Sequence, residues 1–428
     1  MSDASGSTRG RHLGSVAGRR VDDRTPFLIG SVAKSFTATE VVSLAQRGII
    51  DLSQPAARWV PELRRPATER ITVRQLLSHT SGFSTAAGLS RTDRPDAHPG
   101  VLAELVAELA SEGPSTGSGS VQGSGSGNES GAGANYAYSD ANYLILTHLV
   151  EIVTGQGFAA TLQRDVLTPL GLSDTTGDAT KTRAGEVGGG HRSWWGVKVP
   201  FAQEPVPTGA GYGYLTSTPA DLLRFGRAQL APNPVLDAEG LRTLHRPQVD
   251  SGPGRAYAAG WRVDEMDGLP RPVLHHTGAT PGYFSHLLVD RQSGTVVVVL
   301  ANSYSEAQAP ALAAIGPDLL RERLGAPAER TTSDPVLRWA PFVPPVLALG
   351  LAVFAALVWT GRSHRPRTAL FTGALSTAAS AAVPTLVGQP PRVLALWAPD
   401  LAVGLVAVAV SGVVLLFAAG RALRSAAS

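Results

Sequence analysis

The chain has 428 residues, more than one typical domain, with 37 basic residues, 34 acidic residues and no cysteine. The missing cysteine excludes disulfides, thiol catalysis and cysteine-ligated zinc. Seven of the basic residues and one acidic residue lie beyond residue 335, so the part before it carries a net charge of about −3, which argues against a nucleic-acid partner.

In chain order, the first 23 residues, MSDASGSTRGRHLGSVAGRRVDD, lack the apolar core of a secretory signal. Residues 25–29 predict a short extended segment stopped by Gly30. Ser31 follows as a residue of N-cap type, and 32–47 predicts a helix closed by Gly48. A capped helix start is expected over 71–77, ending in the turn His79-Thr80-Ser81-Gly82. Residues 111–134 are a Gly/Ser run that cannot bury a core and read as a flexible loop or insertion. Helical periodicity resumes over 142–153. Strands are expected over 257–263, 273–276, 283–290 and 295–301, the last two joined by a turn at 291–294. A helix over 310–324 should be kinked or interrupted at Gly316-Pro317.

The soluble part is expected to span 1–330, followed by a linker at 331–338 and a membrane region at 339–428. Residues 339–359 and 401–420 are long enough and apolar enough to cross a hydrocarbon core, and 368–388 reads as a third span despite Pro384. The bland alternative is a set of buried helices in a soluble protein. Arg362, Arg365 and Arg367 occupy the first loop, with Arg421 and Arg424 at the C-terminus. Positive-inside counting puts those segments in the cytoplasm and everything before residue 339 outside.

Three short motifs could carry chemistry. Ser31-Val32-Ala33-Lys34 places a hydroxyl and an amine three residues apart at a helix start, where they share a face, and an amine of lowered pKa can take a serine proton. Only three lysines occur in this arginine-rich chain, and unlike a guanidinium an amine can be deprotonated. Tyr138-Ser139-Asp140 follows the Gly/Ser run, and His275-His276-Thr277-Gly278-Ala279 lies on a late strand. Each motif alone is weak; three in this order are specific.

Together they resemble the serine β-lactamase family in the broad sense: class C β-lactamases, D-Ala-D-Ala carboxypeptidases and related esterases. The resemblance runs from about residue 9 to 325. It also includes Leu76-Leu77-Ser78-His79-Thr80-Ser81-Gly82, Gly213-Tyr214-Leu215-Thr216-Ser217-Thr218, Gly260-Trp261 and Gly278 to Gly282. It implies an α/β (α+β) fold, an antiparallel sheet flanked by helices with a helical subdomain inserted, here followed by transmembrane helices.

The resemblance further implies that Ser31 is the nucleophile, that Lys34 and Tyr138 share the proton transfers, and that the backbone N–H groups of Ser31 and Ala279 form an oxyanion hole. Ser139, Asp140, His276, Thr277 and Gly278 would line the substrate site. Two residues depart from the family pattern: His276 stands for a lysine and Asp140 for an asparagine. The first weakens a carboxylate site; the second replaces an amide donor by an acceptor. Tyr138 could instead be a core aromatic, His275 a packed neighbour and His79 a turn-fixing residue.

No metal or cofactor is implied, since none of the ten histidines has H-E-x-x-H-like spacing. The expected partners are a small-molecule or peptide substrate and the lipid bilayer, and the oligomeric state is open. Relatives carry several dozen residues before the nucleophile where this sequence has 30, so translation is expected to begin upstream. The expected function is a membrane-anchored serine hydrolase acting on a D-amino-acid peptide, ester or β-lactam. The alternative is a catalytically silent relative that binds cell-wall peptides or a membrane partner.

Overall fold

The computed structural model describes residues 1, 8–16, 19–96, 98–114, 136–178, 180, 189–328 and 335–427. Residues 115–134 of the expected Gly/Ser loop, and 331–334 of the expected linker, lie outside the described residues. The rest of that linker is not extended: Pro335–Trp339 is helical. The chain divides into two compact units, one made of 1–191, 200–304 and 309–332, the other of 192–199, 305–308 and 333–428.

The first unit is a mixed helix and sheet fold. Strand β1 (Phe27–Leu28) pairs with β2 (Thr216–Ser217). Strands β3 (Val249–Gly252), β4 (Arg255–Tyr257), β5 (Arg262–Asp264), β6 (Val273–Thr280), β7 (Tyr283–Asp290) and β8 (Thr295–Ala301) form an antiparallel meander in that order.

Helix α1 (Ala33–Gln46) buries every residue from Ala33 to Leu44, which explains why its sequence has no polar face. Helix α2 (Val73–Leu77) starts from a capping box between Thr72 and Gln75. The remaining helices used below are α3 (Val101–Glu112), α4 (Asp140–Thr154), α5 (Pro219–Ala228) and α6 (Ala309–Leu324).

One face of the sheet packs on α5, where a Cβ on Gly226 would fall 2.4 Å from Val296, and α5 in turn packs on α1 through the Phe36–Phe225 stack. The opposite face packs on α6, where a Cβ on Gly316 would fall 2.5 Å from Leu288. Alternating side chains of β7 serve the two faces in turn, Leu287 and Val289 in the main core and Leu288 under α6.

Three local expectations change. The single strand expected over 257–263 is two strands with a turn between, because Gly260, at φ 72°, meets α1. A Cβ there would lie 2.7 Å from the Lys34 carbonyl oxygen, and Ser35 Oγ donates to Gly260 O at 2.7 Å. Ser31 is not a side-chain cap; 30–32 form a 3-10 turn and α1 begins at Ala33 without one. Helix α6 runs unbroken through Pro317. The Ala313 carbonyl, which Pro317 has no N–H to satisfy, faces the buried His286 ring instead.

In the second unit α7 (Val343–Trp359), α8 (Pro366–Leu386) and α9 (Pro399–Ala427) pack together. Three segments, Pro335–Trp359, Pro366–Leu386 and Pro399–Ala426, are long and apolar enough to cross a membrane, with mean hydropathies of 2.2, 1.3 and 2.7. Residues 192–199, from the hairpin Gly190–Trp194 and Val197–Phe201, belong to this unit.

Trp195 and Gly196 turn that hairpin with φ 47° and 86°. The Trp195 backbone N–H donates to Asp400 Oδ2 at 3.0 Å and its indole N–H to Pro341 O at 2.9 Å, while Arg192 donates to Leu396 O at 3.0 Å. Asp400, the one acidic residue of the apolar tail, thereby gains a partner that no local pattern announces.

Candidate active site

Ser31 lies in the 3-10 turn between β1 and α1, and Lys34 one turn on, with none of its side chain exposed. The Lys34 nitrogen has three close partners: Ser31 Oγ at 2.8 Å, Tyr212 O at 2.8 Å and, as an ion pair, Asp140 Oδ1 at 2.6 Å. Burial pushes this amine below the ordinary lysine range, and the Asp140 carboxylate beside it only partly restores it. A buried amine one hydrogen bond from a hydroxyl can accept or return its proton.

Strand β6 passes directly beside the serine. Gly30 has φ 51°, and a Cβ on it would fall 2.3 Å from the Ala279 backbone nitrogen; a Cβ on Gly278 would fall 2.1 Å from Ile29 O and 2.9 Å from the Ser31 nitrogen. Glycine at both positions lets the two main chains meet, with the Ala279 nitrogen against Gly30 and the Ser31 nitrogen against Gly278. Ser285 on β7 ties the approach by donating to Ile29 O at 2.5 Å. Two backbone donors so arranged can stabilise an oxyanion.

Tyr138 brings its ring face to 5.0 Å from the Lys34 amine. The turn carrying it is held by His79, itself fully buried at φ 58°. His79 Nδ1 accepts from the Ser139 N–H at 3.2 Å and the Asn142 amide at 3.0 Å, and His79 O accepts from the Ala137 N–H at 2.9 Å. Nδ1 is therefore the acceptor of the tautomer, and the ring lies among those of Tyr136, Tyr138, Tyr143 and Tyr257. His79 fixes a turn, as its position in the sequence suggests.

Ser139 turns into the protein. Its side chain is fully buried and its hydroxyl donates to Ser84 O at 2.7 Å and caps α4. His276 is also buried: Nδ1 donates to Thr277 O at 2.6 Å, so Nε2 accepts from Tyr257 Oη at 3.1 Å. Burial, with Arg262 and Lys34 nearby, drives its pKa well below 6.5, so the ring is neutral at pH 7 rather than partly charged. Thr277 and Ala279 are the partly exposed residues of this strand. His275 points to the other face and bonds Asp264 and His286, each at 3.0 Å.

Sequence reasoning missed three neighbours. Arg262, on the strand beside His275, holds its guanidinium 5.5 Å from the Tyr138 ring and 6.0 Å from the Tyr257 ring. Tyr212 supplies a carbonyl to Lys34, and Asp93, at φ 57°, accepts from Tyr214 Oη at 2.7 Å. No spacing rule links any of them to Ser31.

The family description "Beta-lactamase" matches residues 7–318, most of the chain. This chain belongs to the β-lactamase family. It is similar to penicillin-binding protein 4 of Amycolatopsis lactamdurans, 31% identical over 70% of this chain and 76% of that one. Protein flp of Staphylococcus aureus strain COL is 24% identical over 66% of this chain, and only 54% of its own length is spanned. Among solved structures, a D-stereospecific amidohydrolase from Streptomyces sp. aligns with TM-score 0.54 and 26% identity, covering 67% of this chain and 84% of that one. The β-lactamase fold accounts for the antiparallel sheet and flanking helices, and its members are serine hydrolases.

The buried histidines of this β-lactamase-family unit make a pH prediction. His79, His276 and His286 have pKa values well below 6.5 and His245 is lowered to about 3, all chiefly by burial. A depressed folded-state pKa gives stability that is full above the unfolded value of 6.5 and lost as pH falls below it. Glu40, buried and pushed up to about 8, acts oppositely, its contribution being full below 4.5 and lost as pH rises through 8. Four groups outweigh one, so between pH 6.5 and 5.5 the melting temperature should drop by roughly 5–10 °C. A flat profile would contradict neutral buried histidines.

Proposed function

We propose that this chain is a membrane-anchored hydrolase that forms an acyl-enzyme on Ser31 and acts on a D-amino-acid peptide, amide, ester or β-lactam. The observation that carries this reading is the Lys34 amine 2.8 Å from Ser31 Oγ, beside a strand that glycine lets approach the serine. Ser31 Oγ attacks the substrate carbonyl, and its proton passes to Lys34 or Tyr138. The carbonyl oxygen takes up charge between the N–H groups of Ser31 and Ala279. The leaving group departs with a proton from the same pair, and water then releases the acyl group by the reverse relay.

D-configured substrates are favoured by the likeness to the D-stereospecific amidohydrolase from Streptomyces sp.. Asp140, Thr277 and Gly278 line the substrate side in this reading, with the guanidinium of Arg262 nearby to meet a substrate carboxylate in place of the neutral His276. The three apolar helices anchor the chain. Arg362, Arg365, Arg367, Arg421 and Arg424 at one end of the spans favour an extracytoplasmic catalytic unit.

Membranes carrying the protein, treated in parallel with a fluorescent penicillin and a fluorophosphonate, test the proposal. Labelling by at least one probe is expected, and Ser31→Ala should lose it while keeping the wild-type melting temperature. Labelling that survives in the variant sinks the nucleophile assignment. Folded wild-type protein that takes up neither probe points instead to a silent binding protein.

A further inference from the structure

Asp140 puts a carboxylate one residue removed from the nucleophile, on the far side of Lys34. It opens α4, its Oδ1 is buried against the Lys34 amine at 2.6 Å, and the side chain is still 22% exposed. Its Oδ2 receives no hydrogen bond from any described residue. Of the donors near it, Lys34 bonds Ser31 and Tyr212 and pairs with Asp140, and the Asn142 amide nitrogen bonds His79. Within two hydrogen-bond lengths of the nucleophile the described residues therefore offer a charged acceptor, where an asparagine would offer an amide donor.

We infer that Asp140 selects substrates whose acyl part is an amino acid with a free α-ammonium group. In an acyl group attached to Ser31 the α-nitrogen lies two bonds from the carbonyl carbon, within reach of a carboxylate that shares Lys34 with the serine. An ammonium there gives the free oxygen a charge-assisted hydrogen bond. An N-acylated substrate loses that charge and turns a carbonyl oxygen toward a carboxylate, which repels it. Small amides, esters or peptides with an unblocked N-terminal residue are thus preferred over N-acylated chains. This inference rests on the hydrolase reading above.

The test compares kcat/KM for D-alanine p-nitroanilide and N-acetyl-D-alanine p-nitroanilide in full-length wild type, Asp140→Asn and Asp140→Ala. Wild type should favour the free amine tenfold or more, and both variants should lose at least tenfold of that preference, because asparagine supplies a donor and alanine neither group. Melting temperatures identify a variant that has not folded, and the second variant then decides. An equal substrate ratio in wild type and in a folded variant overturns the inference, as does a wild-type preference for the acetylated substrate. If neither substrate turns over while fluorophosphonate labels Ser31, the inference falls and the hydrolase reading stands. If Ser31 takes no label, the hydrolase reading fails first.

Discussion

Gly278→Ala is expected to lower the rate of Ser31 acylation by 10²-fold or more, roughly what loss of an oxyanion-hole donor costs. The added methyl has no room: it would lie 2.1 Å from Ile29 O, 2.5 Å from Ser285 Oγ and 2.9 Å from the Ser31 nitrogen. Two of these atoms belong to the main chain, so no rotamer change relieves them and β6 must move away from the serine turn. Overpacking of this kind costs about 1–3 kcal/mol of stability, and here the displaced atoms include both proposed oxyanion donors. The double variant Gly278→Ala/Ser285→Ala separates the causes. It frees the side-chain clash and leaves the backbone clash, so activity should not return. Acylation at the wild-type rate in Gly278→Ala would mean that the contact of β6 with the Ser31 turn plays no part in the reaction.

Lys34→Met should cost 10³-fold or more in acylation, with a change in stability within about 2 kcal/mol. Methionine has nearly the length and volume of lysine without its charge. The variant strips Asp140 of its ion pair and Tyr212 of a donor, which destabilises; it also removes a fully buried ammonium, which offsets that loss. Adding Asp140→Asn removes the stranded carboxylate and should raise the melting temperature above that of the single variant without restoring acylation. That divergence of stability and activity is the readout. A Lys34→Met protein that still acylates within tenfold of wild type would leave Tyr138 as sole base.

Much of the first unit was legible in the sequence because its signals are local. The strands Tyr283–Asp290 and Thr295–Ala301 match their expected bounds, and the expected helix over 142–153 is found as Asp140–Thr154. Their apolar periodicity and turn residues report directly on which face is buried. The error over 257–263 has the opposite origin. That stretch reads as one strand until α1 crosses it at Gly260, a contact between residues more than 200 positions apart. Ser139 shows the same dependence: a hydroxyl beside a motif tyrosine looks available until the Ser84 carbonyl, 55 residues earlier, accepts its hydrogen bond.

The sequence by itself determined that Ser31 and Lys34 stand one turn apart at a helix start, that three late segments are apolar enough to span a membrane, and that neither a thiol nor a cysteine-ligated zinc does the chemistry. These follow from spacing and composition, which a linear string carries in full. Only the tertiary structure decided that His276 is neutral, that Lys34 is shared between Ser31, Asp140 and the Tyr212 carbonyl, and that Arg262 stands over Tyr138. Charge state, and the third partner of a group, depend on desolvation and on residues brought together across the whole chain.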